Sequence, residues 1–371
     1  MTARKKLQKI RGELAQYFLE RGDLIDGSLS ALLCSQHVLI IGAPGTAKSM
    51  LANEICRRIE GANYFQWLLT RFSTPEEIFG AVSLKALEQD DYRRVTTHKL
   101  PEAQIAFLDE IFKANSSILN AILTLINERI FHNGKEILPV PLLTLFGASN
   151  ELPEDDELMA LYDRFLLRFV VKYIEEDFRF LRMLEAAEQT ERTTLTLEEL
   201  REMQAQARDI RIPGAVYRTI ADLRRELKRR NIEASDRRYR QSLSLLQAHA
   251  YLRGESQVTE NDLFFLEHVL WRDPGEQPQV RDAIRELVLG YEEEVKELLY
   301  ESREIRDSAL RWETSDERAR ALIEVHTKIR NIIAKVDQII DKAKKLGRPL
   351  ERVGAIKDEI EEIQKQMLER F

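Results

Sequence analysis

Cysteine is nearly absent: Cys34 and Cys56 are the only two in 371 residues. Both sit in apolar helical patterns without a paired spacing, which suits core residues of a reducing compartment and excludes a disulfide framework or a cysteine-based zinc site. The six histidines show no zinc spacing either, and no Gly-x-Ser-x-Gly elbow of a serine hydrolase occurs. No apolar run approaches the length that crosses a bilayer, and the charged N-terminus (Arg4, Lys5, Lys6, Lys9, Arg11) lacks the apolar region of a signal peptide. A cytoplasmic location is therefore expected. Basic excess is missing too: the formal net charge is −7, which argues against gripping nucleic acid by bulk electrostatics. With 44% hydrophobic residues the chain can still bury one large core and one or two smaller ones.

What is present is concentrated in Gly42-Ala43-Pro44-Gly45-Thr46-Ala47-Lys48-Ser49. The apolar run His37 to Ile41 reads as a buried strand entering this loop, and Met50, Leu51, Ile55 and Ile59 mark an amphipathic helix leaving it. Strand, glycine-rich loop and helix make a P-loop. Its backbone N–H groups surround nucleotide phosphates, Lys48 reaches the β and γ phosphates, and the Ser49 hydroxyl ligates Mg²⁺. Ala47 stands where glycine is usual before the lysine. A methyl group there is expected to be tolerated in a first helical turn with negative φ.

Ile105-Ala106-Phe107-Leu108-Asp109-Glu110 is an apolar strand ending in two adjacent carboxylates, about sixty residues after Lys48. At the carboxyl edge of a parallel sheet one acid can hold a metal while the other polarises water. Asp109 is assigned to Mg²⁺ and Glu110 to the base. No Asn-Lys-x-Asp guanine motif occurs, so ATP is the expected nucleotide.

Residues 1–180 alternate short apolar runs with helical patterns, and predict an α/β domain with a five-stranded parallel sheet. The strands are expected at His37–Ile41, Tyr64–Leu68, Ile105–Leu108, Leu142–Ala148 and Phe169–Tyr173. Helical periodicity alone follows over 181–275, an all-α lid, and the Asp273–Pro278 segment breaks the pattern. Over 276–371, Leu322, Val325, Ile329, Ile332, Val336, Ile339, Ala343 and Leu346 recur at three- and four-residue spacings, the seam of a coiled coil or helical hairpin. Gly347-Arg348-Pro349 is read as the turn. Leu350, Val353, Ile360, Ile363 and Met367 form a returning stripe, expected to pack on the first or on the stretch around Ile284, Leu287 and Leu298. A packing role is preferred to a partner-binding arm.

The ordered motifs resemble the MoxR group of AAA+ ATPases, particularly its RavA-like branch, over residues 1 to about 275. Besides the P-loop, whose alanine before the lysine is characteristic of the group, the markers are Thr70–Gly80, Phe107–Ile111, Asn127-Glu128-Arg129, Ala148–Pro153, Leu161-Tyr162-Asp163-Arg164 and Ser235–Arg238. The resemblance implies that Asn150 is the sensor 1 amide beside Glu110. It implies that Arg164 is an arginine finger acting on a neighbouring subunit's nucleotide, with Arg168 the competing choice and more a structural partner. Arg237 resembles sensor 2, reaching from the lid to its own subunit's nucleotide, with Arg238 the alternative. Phe131–Ile137, whose Asn-Gly signals a type I′ turn, resembles the pre-sensor-1 hairpin, with His132 and Lys135 candidate substrate contacts. The segment Phe72–Lys99 resembles the helix-2 insertion.

The resemblance further implies a homo-oligomeric, hexameric ring that remodels a protein client in a chaperone-like way. Complex maturation or metal-cofactor insertion, with a von Willebrand factor A domain protein as partner, is the expected setting. RavA-like members carry a β-rich domain inserted in a longer C-terminal region, and the helical pattern here departs from that. Rival readings are a nucleic-acid motor or loader, disfavoured by the charge, and a nucleotide-switched scaffold with negligible turnover, disfavoured by the intact Asp109, Glu110 and Arg164.

Overall fold

The computed structural model describes residues 2–153, 155–185, 192–288, 291–309, 315–345 and 350–369. The expected turn at Gly347-Arg348-Pro349 and the seam position Leu346 lie outside them. Two compact units are present, 1–280 and 281–371. Among the described residues no helix is long and apolar enough to cross a membrane.

In the first unit the strands are β1 (Val38–Gly42), β2 (Ile59–Glu60), β3 (Tyr64–Leu68), β4 (Ile105–Asp109), β5 (Ile130–Asn133), β6 (Glu136–Pro139), β7 (Thr144–Ser149), β8 (Leu167–Val171) and β9 (Leu195–Thr196). Five of them form one parallel sheet in the order β3-β4-β7-β1-β8. β7 is buried along its whole length, and β1 and β4 along all but their last residues, as near-continuous apolar runs in a doubly covered sheet require. β8 begins two residues before the expected Phe169, because the run is interrupted in sequence by Arg168. That arginine is nonetheless 1% exposed, with its guanidinium donating to the carbonyls of Trp271 and Tyr162. A charge that finds buried carbonyls hides a strand start from a hydropathy reading.

Register brings the chemistry to one edge. Ile41 pairs with Ser149 and Leu108 with Gly147, so the P-loop, Asp109-Glu110 and Asn150 all leave the carboxyl ends of adjacent strands.

Lid helices Leu197–Arg208, Gly214–Arg229 and Asp236–Arg253 follow the sheet. The first is started by a capping box of Thr196 and Glu199. The N-terminal helices Ala3–Tyr17 and Gly22–Cys34 pack against the first and third of these, with Gln204 donating to Leu32 O and Arg4 to Tyr251 O.

The second unit holds helices Tyr291–Ala309, Ser315–Lys345 and Glu351–Glu369. Val295 and Leu299 of the first join Val325, Ile329, Ile332, Val336 and Ile339 of the second and Val353, Ile356, Ile360, Ile363 and Met367 of the third in one core. The returning stripe packs on both of the expected partners, the seam and the stretch around Leu298, in one three-helix core. The first helix adds Val295 and Leu299, with Leu298 and Ile305 packed beside them.

Candidate nucleotide-binding site

The P-loop closes tightly on the sheet. A Cβ at Gly42 would lie 2.2 Å from Val171 O, so only glycine lets β1 end beside β8. Gly45 holds φ +79°. Ala47 caps the helix Lys48–Arg57, accepting from Leu51 N–H, but with φ 63° rather than the negative φ expected of it. The chain must reverse at this residue to aim the loop's N–H groups inward. An alanine in that left-handed conformation costs about 1–2 kcal/mol, which the surrounding packing has to offset.

Lys48 is 8% exposed, and its Nζ donates to Gly42 O at 2.5 Å, Ala43 O at 3.2 Å and Asn150 Oδ1 at 3.3 Å. Burial pushes its ammonium below the usual range, opposed by the attraction of Asp109 and Glu110. Asn150 Nδ2 in turn donates to Glu110 Oε1 at 2.9 Å. Since Oδ1 accepts from a lysine, the amide orientation is fixed by its partners. Glu110 sits at φ 51°, its N–H donating to Asp109 Oδ1 at 3.1 Å. Its other oxygen, Oε2, faces Lys113 Nζ at 3.2 Å. Lys113 belongs to no motif, and the sequence marks it only as a cation three residues after the base.

Pro44, Gly45, Thr46, Ala47, Lys48, Ser49, Met50, Asp109, Glu110 and Asn150 line one cavity of about 360 Å³. Gly42 and Ala43 are not among the lining residues and act on the cavity only through the carbonyls that hold Lys48. The Ser49 hydroxyl and Asp109 carboxylate are hard oxygen donors facing the same space, a set that fits Mg²⁺ beside phosphates.

The arginines fall elsewhere. Arg164 is half-buried, and among the described residues its side chain has no ion pair, its buried Nε lacking a hydrogen-bond partner. Arg168, the competing choice, is enclosed by Trp271 O, Tyr162 O and the Tyr162 ring, whose centroid is 3.9 Å from its Cζ. It cannot present its guanidinium outside the subunit without dismantling that enclosure. Arg238 is likewise 1% exposed and bonded to Val269 O, Phe165 O and Leu166 O, with burial driving its basicity well down. Arg237 is half-exposed and pairs with the Asp163 carboxylate. It does not line the P-loop cavity, so the expected reach to its own subunit's nucleotide is not the geometry found. Asp163, unassigned in the sequence, holds Arg237 at the position that precedes Arg164 in the chain.

The Asn-Gly hairpin forms, with Asn133 opposite Glu136 and positive φ at Gly134 alone of the two turn residues. That suits a type II′ turn rather than the expected type I′. Asn133 is buried because its amide bonds both Arg94 N, at 2.6 Å, and Arg94 O, at 3.1 Å. Arg93 pairs with Glu136 at 3.0 Å, fastening the hairpin to the Phe72–Lys99 insertion. His132 and Lys135 remain exposed. Arg129, of the Asn-Glu-Arg motif, is structural: it donates to Leu142 O and Ser35 O at the hairpin base.

Tertiary structure also gathers Asp23, Glu267 and His268, which no sequence spacing connects, with possible ligand atoms within 4.8 Å of one another.

Residues 5–210 match the family model described as the MoxR domain in the MoxR-vWA-beta-propeller ternary systems, and 215–284 match an AAA lid domain. Two Methanocaldococcus jannaschii proteins are similar. MJ0079 is 45% identical over 78% of this chain and 76% of its own, and MJ0812 is 39% identical over 97% and 98%. The chaperone MoxR1 of Mycobacterium tuberculosis is 28% identical over 45% of this chain and 44% of its own. A crystal structure described as a candidate ATPase from Cytophaga hutchinsonii shares the fold, with a TM-score of 0.61 at 15% identity over 77% of this chain and 94% of that one.

Proposed function

Because the chain belongs to the MoxR family of AAA ATPases, and carries that family's AAA domain and lid, we propose that it hydrolyses ATP in sites shared between subunits of a ring. The observation that carries the reading is the bonded series Lys48–Asn150–Glu110 along one wall of the P-loop cavity. Lys48 is the phosphate-binding cation, and to meet the β and γ phosphates it exchanges the Gly42 and Ala43 carbonyls for stronger anionic acceptors. Ser49 and Asp109 would hold Mg²⁺, which supplies neutralisation of phosphate charge. Glu110 takes the proton of the attacking water, and Asn150 keeps the carboxylate aligned.

Arg164 completes the site in a neighbour, stabilising transition-state charge there. The absence of an ion pair at Arg164 among the described residues supports this, since a half-buried guanidinium without a carboxylate is costly unless something else receives it. Arg237, fixed to Asp163 on the same segment, acts from that edge too. A hexamer is the expected closure, and a RavA-like mode of action is the one we propose.

The output we propose is chaperone-like remodelling of a protein client, in complex maturation or metal-cofactor insertion, in the cytoplasm. A von Willebrand factor A domain protein is the expected partner, in keeping with the systems for which the matching family is described.

The test is ATP turnover against protein concentration for wild type, Glu110→Gln and Arg164→Ala, with mass followed by light scattering. Turnover is expected to rise with assembly and to vanish in each variant. Mixing the two variants should restore part of it, because an intact Glu110 then meets an intact Arg164. Turnover independent of assembly, or no rescue on mixing, defeats the shared site.

A further inference from the structure

We infer that Tyr173 is a positioning residue of the phosphate site: its hydroxyl holds the Pro44 carbonyl on the outer side of the P-loop and so turns the Gly45 N–H inward, to a phosphate of the nucleotide. This role rests on the proposed function above, in which the P-loop binds the phosphates of ATP. The Tyr173 hydroxyl donates to Pro44 O at 3.1 Å, while the side chain as a whole stays 61% exposed.

The peptide plane connects the two ends of this contact. No described peptide bond is cis, so the C=O of Pro44 and the N–H of Gly45, which share one plane, point in opposite directions. Pro44 and Gly45 both line the P-loop cavity, and Tyr173 does not. A carbonyl drawn toward Tyr173 therefore leaves the N–H behind it directed at the cavity. Among the described residues that N–H meets no hydrogen-bond partner, which reserves it for an anion. Gly45 has no side chain to fix the plane and rotates freely compared with other residues, so a bond from outside the loop is what sets it.

The neighbouring carbonyls are held differently. Lys48 Nζ donates to Gly42 O and Ala43 O, and Thr46 Oγ1 to Ala43 O at 2.9 Å. Lys48 has to leave its carbonyls to meet phosphate, whereas Tyr173 stands outside the cavity, and its hold on Pro44 outlasts that exchange.

The tyrosine is itself anchored. It lies two residues past β8, whose Val171 pairs with Gly42. Arg21 donates to Lys172 O at 2.6 Å, and the N–H groups of Glu175 and Glu176 donate to the Glu20 carboxylate at 3.1 and 3.4 Å. Glu20 and Arg21 join the two N-terminal helices, so the backbone on both sides of Tyr173 is fastened to one connection.

The test uses the full chain, at concentrations where light scattering shows equal assembly, and compares wild type with Tyr173→Phe, which removes the hydroxyl and keeps the ring. Calorimetric titration measures the Kd of Mg-ATP and of inorganic tripolyphosphate, which has neither base nor sugar. Both Kd values are expected to rise by the same factor, about two- to tenfold, as loss of one hydrogen bond predicts. KM for ATP should rise with them at unchanged kcat, because the contact serves ground state and transition state alike. The melting temperature should stay in place, since the side chain is exposed. Unchanged tripolyphosphate affinity overturns this role, and weakening confined to ATP assigns the hydroxyl to the nucleoside instead. A matching fall in melting temperature overturns it as well, by making the effect one of stability. A wild type that binds both ligands without hydrolysing ATP, with both weakened in Tyr173→Phe, supports the role while the hydrolytic reading falls. A wild type that binds neither removes both.

Discussion

In the P-loop cavity Ala47 and Glu110 both hold left-handed backbone, whereas no described residue of the C-terminal three-helix unit does so. The cavity is specified by single atoms: a missing Cβ at Gly42, one ammonium, one amide, two carboxylates. The bundle is specified by a repeat, in which Val325, Ile329, Ile332, Val336 and Ile339 each do what their neighbours do. At Ala47 and Glu110 strained backbone aims groups into the cavity, and in the bundle unstrained helix supplies burial. The two regions should therefore fail differently, one through loss of chemistry and the other through loss of stability.

The largest separation is expected from Glu110→Gln, which should lower kcat by about 10²–10⁴ while leaving the thermal transition in place. Steady-state turnover beside a calorimetric scan checks it, and a matched drop in Tm would erase the contrast. Next, Ile360→Ala in the fully buried bundle core should cost about 2–5 kcal/mol of that unit's stability, read by denaturant titration. ATP affinity should not change, and loss of nucleotide binding would show that the second unit supports the site.

A finer cut lies inside the loop. Gly42→Ala must displace Val171 O and should cost about 1–3 kcal/mol with loss of ATP binding. Gly45→Ala meets open space, so only its φ of +79° opposes it, at about 1–2 kcal/mol. Paired melts that rank the two in reverse order would refute the close-approach argument. The smallest effect is a gain: Ala47→Gly should raise stability by about 1 kcal/mol or less, as relief of φ 63° is partly offset by the flexibility glycine adds to the unfolded chain.

Much of the architecture was legible because its signals are local. Short apolar runs announced the strands β1, β3, β4 and β7, and the residues of the P-loop and of Asp109-Glu110 follow directly on the runs of β1 and β4. What stayed hidden depended on distant partners. The start of β8 was obscured by Arg168, whose carbonyl acceptors include Trp271, 103 positions away. The turn after Asn133 differs from the expected type I′ because Asn133 bonds Arg94 of the insertion and pairs with Glu136 as a strand residue, which leaves Gly134-Lys135 as the turn. Arg237 was expected at its own nucleotide and is found on Asp163, 74 positions away. Lys113 had no pattern to mark it, and only the position of the Glu110 carboxylate gives it meaning.

The sequence by itself determined which groups could do chemistry and where strands and helices run, since spacing and hydropathy act over a few residues. Tertiary structure decided which of four neighbouring arginines is enclosed and which is left without a carboxylate. It also decided that Ala47 must adopt positive φ, and that Glu110 is held from two sides. Those outcomes depend on which carbonyls and carboxylates the folded chain brings within bonding distance, and desolvation sets their energy only once the packing is complete.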